Sequence, residues 1–244
     1  ETSRDLLPIL DALAAKFRER TDLVLCGMGG SSLAPEVIAQ TYGKKVFILD
    51  STDPDYLAHA LTGSPADLLV IVSSKSGSTI ETSSQRAFFE GYLTSAELDP
   101  TAHILFVTDP GSPLDIDVRA KGYAVINADP KVGGRFSALT AFGLTPATLM
   151  GVDASILLDQ AGDLRAQLAQ DPVTALDVSY LLLTQNEQFL GLTDHGSNFP
   201  GLSDWIEQLI AESTGKQEVG RLPIATEGFS QAQNGGAFSI SFSP

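Results

Sequence analysis

The chain has 244 residues, with 30 acidic against 15 basic, a formal charge of −15 and a pI near 4.4. That length buries a sizeable core and holds one large domain or two modest ones, while the acid excess without any Lys or Arg run excludes an ordinary nucleic-acid binder. A single cysteine, Cys26, rules out an intrachain disulfide, and no apolar run nears the ~20 residues of a membrane helix.

With no signal-peptide pattern at its start, the chain is expected to be cytoplasmic. Its first residue is Glu1, not Met, which reads as a fragment or a processed chain. Residues 3–20 carry Leu6, Leu7, Ile9, Leu10, Leu13 and Phe17 at helical spacing and predict an amphipathic helix. A strand is expected at 23–26, then a glycine turn, a helix near 34–41 and a strand at 45–49. Asp50-Ser51-Thr52-Asp53-Pro54 caps a further short helix. A strand at 68–72 and a long helix at 80–96 follow, then short apolar strands at 103–107 and 123–126 with a Pro- and Asp-containing segment between them. Apolar strands alternating with helices predict α/β architecture, a doubly wound parallel sheet sandwich with ligand sites at the strands' carboxyl ends. From about Phe136 to Met150, and then over 153–168, 171–188 and 204–212, the pattern is helical, so a mainly helical C-terminal segment is expected. Residues 228–244 have no charged side chain, and no helix or strand is expected there. Three parts result: 1–150, 151–226 and an atypical tail at 227–244 that reads as truncated.

The chemistry concentrates in four places. Ser73-Ser74-Lys75-Ser76-Gly77-Ser78-Thr79 puts five hydroxyls and a lysine between a strand and a helix start. Free N–H groups and the positive end of the helix dipole make that place an anion site, hydroxyls add uncharged donors, and Lys75 adds a point charge. A serine-rich N-cap is the plainer reading. Gly27-Met28-Gly29-Gly30-Ser31-Ser32 is compatible with a tight turn, a sugar or phosphate site, or a dinucleotide unit with Asp50 on the ribose; Ser32 at the third fingerprint position weakens the last. Val132-Gly133-Gly134-Arg135-Phe136-Ser137 either presents a guanidinium to anionic oxygens or leaves Arg135 in a surface ion pair. Glu212, in Ala211-Glu212-Ser213-Thr214-Gly215-Lys216, ends a helix by ordinary capping or serves as a partly buried general base with a raised pKa. The histidines His59, His103 and His195 lack metal-ligand spacing with one another or with Cys26. His59 and His195 read as solvated, His103 as structural. No nucleophile elbow, Walker loop or zincin helix occurs.

In this order, over about residues 20–226, these motifs resemble the phosphoglucose isomerase family within the wider group of sugar isomerase (SIS) domains. The glycine loop through Pro35 is similar to that family's first loop, with Ser32 in its Asp position, and Ser74 to Thr82 resembles its phosphate loop. The segment 132–137 resembles its arginine signature, and Glu212-Ser213-Thr214-Gly215-Lys216 its Glu-Ser-Asn-Gly-Lys motif. Trp205-Ile206-Glu207-Gln208-Leu209 also resembles the isomerase part of bifunctional transaldolase/glucose-6-phosphate isomerases, which implies a transaldolase domain upstream. The resemblance implies a glucose-6-phosphate isomerase, an intramolecular oxidoreductase that passes through a cis-enediol. It further implies a homodimer that requires neither a metal nor an organic cofactor. By position, Ser74, Lys75, Ser76 and Thr79 would hold the phosphate of a sugar 6-phosphate. Gly29, Gly30 and Ser31 would line the sugar, Glu212 would move the proton and Arg135 would stabilise the enediolate. The family's ring-opening histidine and carboxyl-terminal lysine have no counterpart after Lys216, and His195 precedes the Glu212 motif, the wrong order for that histidine. A non-catalytic phosphosugar-binding SIS module and a nucleotide-dependent oxidoreductase are the alternatives.

Overall fold

The structure is a computed structural model and describes residues 3–184, 187–216, 220–226 and 238–244. It divides into two compact units, Glu1–Val152 and Asp153–Pro244.

In the first unit the chain runs α1 (Leu7–Phe17), β1 (Asp22–Cys26), α2 (Leu33–Thr41), β2 (Phe47–Leu49), α3 (Pro54–Ala58), β3 (Leu68–Ser73), α4 (Ile80–Ser95), β4 (Ile104–Thr108), α5 (Pro113–Ala120), β5 (Ala124–Asn127) and α6 (Ala141–Leu149). The five strands form one parallel sheet in the order β2-β1-β3-β4-β5. The central strands β3 and β4 are buried at every position, as a sheet covered on both faces requires. Val24, Val70, Val72 and Phe106 turn to one face, where Phe89 and Leu93 of α4 and Leu114 and Val118 of α5 complete a contiguous core. Alternation turns Leu25, Ile71 and Leu105, all fully buried, the other way. On that side α6 packs on β4, flanked by α1 and α2.

Helix α5 falls in the Pro- and Asp-containing segment, to which the sequence pattern assigns no element. Its start is a capping arrangement: the Ser112 hydroxyl accepts from the Asp115 N–H at 3.1 Å, and Pro113 opens the first turn. The capping expected at Asp53 is present, with its carboxylate accepting from the N–H groups of Asp55 and Tyr56. His103 is buried and bonds the Leu68 carbonyl at 2.8 Å, a structural role.

The second unit corrects the expectation of a mainly helical C-terminal segment. Besides α7 (Ala154–Gln170), α8 (Val173–Thr184) and α9 (Leu202–Thr214), it contains β6 (Phe189–Asp194), β7 (Leu222–Thr226) and β8 (Phe238–Phe242). These strands make a small parallel sheet in the order β7-β6-β8. Phe238-Ser239-Ile240-Ser241-Phe242 alternates apolar and polar as a strand does, so the last residues are not without structure; residues 227–237 of the expected tail lie outside the described residues. Pro223 is accommodated because β7 is an edge strand. Helix α9 covers this sheet, packing against both β6 and β7.

Candidate functional site

The order β2-β1-β3-β4-β5 has a topological switch point between β1 and β3. From β1 the chain crosses to β2 on one side, and from β3 to β4 on the other, so the loops leaving these two strands diverge and open a crevice at their carboxyl ends. The glycine loop leaves β1 there and the serine loop leaves β3.

The serine loop is built largely by its own side chains. The buried Ser74 hydroxyl accepts from the Gly77 N–H at 3.1 Å, and the Ser74 N–H donates to the Val107 carbonyl. Gly77 has φ +74°, and a Cβ there would stand 2.4 Å from the Leu114 Cβ, so both its conformation and its space demand glycine. The Ser76 and Ser78 hydroxyls are exposed and lie 2.6 Å apart. Thr79 is the N-cap of the 16-residue α4 but makes no side-chain cap bond. The exposed Ser76 and Ser78, the half-buried Thr79 and the start of α4 therefore form the donor-rich rim of the loop, whereas Ser74 acts from beneath it.

Lys75 is directed elsewhere. Its ammonium pairs with Asp109 at 2.9 Å and also donates to the carbonyls of Val132 at 3.0 Å and Pro130 at 3.5 Å. Asp109 is the first residue after β4, and its partnership with Lys75 is invisible in the linear sequence. The rule that sites gather at the strands' carboxyl ends would have singled it out.

The glycine and arginine loops interlock. A Cβ on Gly30 would lie 2.3 Å from the Gly134 carbonyl oxygen and 2.9 Å from the Arg135 nitrogen, so the two backbones meet where a side chain would be. The buried Ser137 hydroxyl is within bonding distance of both the Gly134 and Gly30 carbonyls, at 2.6 and 3.2 Å. Ser137 stands in the arginine motif, but its bond to the Gly30 carbonyl, 107 residues away, is not readable from the sequence. Arg135 is half-buried and its guanidinium carbon lies 4.4 Å from the Phe136 ring centroid. Ser32 is buried and donates to the Gly29 carbonyl at 3.1 Å, closing the turn on itself. Gly29 and Ser31 are half-buried in the short 3-10 turn of this loop.

The first unit thus brings Gly29, Gly30, Ser31, Ser74, Lys75, Ser76, Thr79 and Arg135 to one edge of its sheet. Glu212 belongs to the second unit, on the last turn of α9, where its carboxylate accepts from the Gln208 side chain at 2.8 Å. It is exposed in this chain, which corrects the partial burial expected of a base. His195 is also exposed, and its N–H donates to the Phe242 carbonyl. Burial pushes the Cys26 thiol up, which leaves it an inert core group. Among the described residues no group of three His, Cys, Asp or Glu could hold a metal ion, and no helix is long and apolar enough to cross a membrane.

No protein-family model matches the chain. Among curated proteins it is 30% identical to a probable glucose-6-phosphate isomerase of Haloquadratum walsbyi, over 94% of this chain and 56% of that protein. It is 34% identical to a glucose-6-phosphate isomerase of Citrifermentans bemidjiense, over 80% of this chain and 40% of that one. The chain thus spans about half the length of the curated relatives it matches. Among solved structures, a hypothetical protein from Thermus thermophilus superposes with TM-score 0.84 at 26% identity, covering 98% of this chain and 63% of its own. A glucose-6-phosphate isomerase from Chlamydia trachomatis superposes with TM-score 0.78 at 23% identity, covering 95% and 49%, a likeness of fold.

Proposed function

We propose that this chain, a relative of the glucose-6-phosphate isomerases in the SIS-domain group of phosphosugar isomerases, is part of an aldose–ketose isomerase that interconverts glucose 6-phosphate and fructose 6-phosphate. The observation that carries the reading is the keyed contact of Gly30 with Gly134, which holds a guanidinium-bearing loop beside the switch-point crevice that also contains a donor-rich anion cradle. Glucose-6-phosphate isomerase relatives at about 30% identity over most of the chain support the choice of substrate.

In this reading the phosphate dianion rests on Ser76, Thr79 and the N-terminus of α4, with Ser74 shaping the loop and Gly29, Gly30 and Ser31 facing the sugar. Remote phosphate binding supplies the energy that orients the reacting carbons. The Glu212 carboxylate removes the proton on the second carbon of the open-chain aldose, and the electron pair moves to form the enediolate. Arg135 stabilises the charge on its oxygens while the hydroxyl proton on the second carbon passes to the oxygen of the first, and Glu212 returns its proton to the first carbon as the second becomes the ketone. No redox partner is consumed, because oxidation at the second carbon balances reduction at the first.

One observation favours a second reading, a phosphosugar-binding module without turnover: Glu212 is exposed, and a base of this kind works best when partly desolvated. The two are separated with the whole protein that contains this chain. A coupled assay should detect glucose 6-phosphate formed from fructose 6-phosphate, and the proton on the second carbon of glucose 6-phosphate should exchange with solvent deuterium. Sugar-phosphate binding with neither conversion nor exchange leaves the module reading; absence of binding overturns both.

A further inference from the structure

Lys75 is the one cation in the serine loop, and a phosphate ligand is the obvious role for it. Its surroundings argue otherwise. An ammonium carries three N–H donors. Here it faces the Asp109 carboxylate, with oxygens at 2.9 and 3.1 Å, and the carbonyls of Val132 and Pro130 at 3.0 and 3.5 Å. Those acceptors account for all three donors. The Lys75 main chain is held as firmly, since its carbonyl accepts from the Thr108 hydroxyl and from the Asp109 N–H, both at 3.0 Å. The lysine side chain is 31% exposed and the aspartate 19%, so the pair is partly withdrawn from water and less screened than a surface pair.

The acceptors say what the ammonium is for. Pro130 and Val132 begin the segment that continues through Gly133 and Gly134 to Arg135, and Gly134 is the backbone against which Gly30 packs. Lys75 thus joins the serine loop to the arginine loop, which is in turn keyed to the glycine loop. We propose that Lys75 and Asp109 are positioning residues: the ammonium, neutralised by Asp109, sets the arginine loop at a fixed distance from the anion cradle, and the phosphate is held by hydroxyls and N–H groups. This rests on the isomerase reading for its functional consequence, though not for the contact itself.

The test uses Lys75→Met, Asp109→Asn and, as a control for the cradle, Ser76→Ala in the whole protein. Binding is read with glucitol 6-phosphate, which lacks a carbonyl and cannot isomerise. Loss of the tie should lower kcat by up to ~10²-fold through misplacement of Arg135, with the dissociation constant of glucitol 6-phosphate moving by less than ~3-fold, the pattern of a lost transition-state interaction. Amide hydrogen exchange should quicken over residues 131–137 and not elsewhere in the first unit. Asp109→Asn is nearly isosteric and keeps the comparison available if Lys75→Met does not fold. Ser76→Ala should do the reverse, weakening glucitol 6-phosphate with exchange over 131–137 unchanged. The proposal is overturned if Lys75→Met weakens that ligand at least as much as Ser76→Ala while exchange over 131–137 stays as in the wild type, for the ammonium is then a phosphate ligand. If the wild type binds no sugar phosphate, the isomerase reading fails, and the exchange data still decide whether the tie exists.

Discussion

The two units hold their candidate chemistry in opposite ways. In the first, the binding groups come from three loops cross-braced by buried or half-buried bonds: Ser74 beneath Gly77, Lys75 onto Asp109 and Val132, Ser137 onto Gly30 and Gly134. In the second, the proposed base stands exposed on the final turn of a helix, with Gln208 one turn back as a hydrogen-bond donor. Anion recognition needs donors fixed before the ligand arrives, and a cross-braced loop cluster supplies that. A general base additionally needs desolvation, which an exposed helix end does not provide by itself. In the proposed isomerase, binding geometry is therefore intrinsic to the first unit, whereas the reactivity of Glu212 would depend on what surrounds it during turnover.

That contrast can be broken or sharpened by substitution in the whole protein. The largest effect is expected at the second unit: Glu212→Gln should lower kcat by ~10²–10⁴-fold with KM for fructose 6-phosphate little changed, read by coupled assay. A full rate would remove the second unit from the chemistry. Arg135→Met should cost ~10²–10³-fold in kcat, again with a modest change in KM. Thr79→Val would remove the proposed charge-assisted hydrogen bond to phosphate, worth ~1.5–3 kcal/mol, and should raise KM about tenfold or more with kcat largely kept. Gly30→Ala forces a methyl against the Gly134 carbonyl and should destabilise the protein by ~1–3 kcal/mol, read as a lower urea midpoint. The smallest effect concerns Asp117, whose carboxyl is held below its ordinary pKa by hydrogen bonds first from Arg86 and then from Lys121. A depressed carboxyl contributes its stability above the unfolded pKa of ~3.9 and loses it as pH falls through the lower folded value. Asp117 is 45% exposed, so Asp117→Asn should flatten the acid side of the stability curve by less than ~1 kcal/mol.

The strands of the first sheet were legible because a strand buried on both faces must be an unbroken apolar run, as Leu68 to Val72 is. The loops after β1 and β3 were legible for a related reason: a strand, a Gly- or Ser-rich turn and a helix start are contiguous in sequence. Helix α5 was not, because Pro113-Leu114-Asp115-Ile116-Asp117 reads as a polar, proline-marked loop until the Ser112 cap is recognised. The second sheet was missed because β6 follows a long helical stretch, β7 contains Pro223, and β8 is a short Phe-Ser-Ile-Ser-Phe run in uncharged surroundings. Lys75 illustrates what periodicity cannot reach. Its type and position suggested an anion ligand, but Asp109 and Val132 stand 34 and 57 residues away and are brought to it by strand order alone.

The meeting of Gly30 with Gly134 also bears on how substrate preference could be changed. Because main chain touches main chain there, the spacing of the glycine loop from the arginine loop works as a gauge cut in the backbone, which exchange of the surrounding side chains does not reset. In the proposed isomerase, mutations around the rim are therefore suited to altering which hydroxyl stereochemistry is accepted. Changing that spacing itself would, in the proposed isomerase, require a loop of different length.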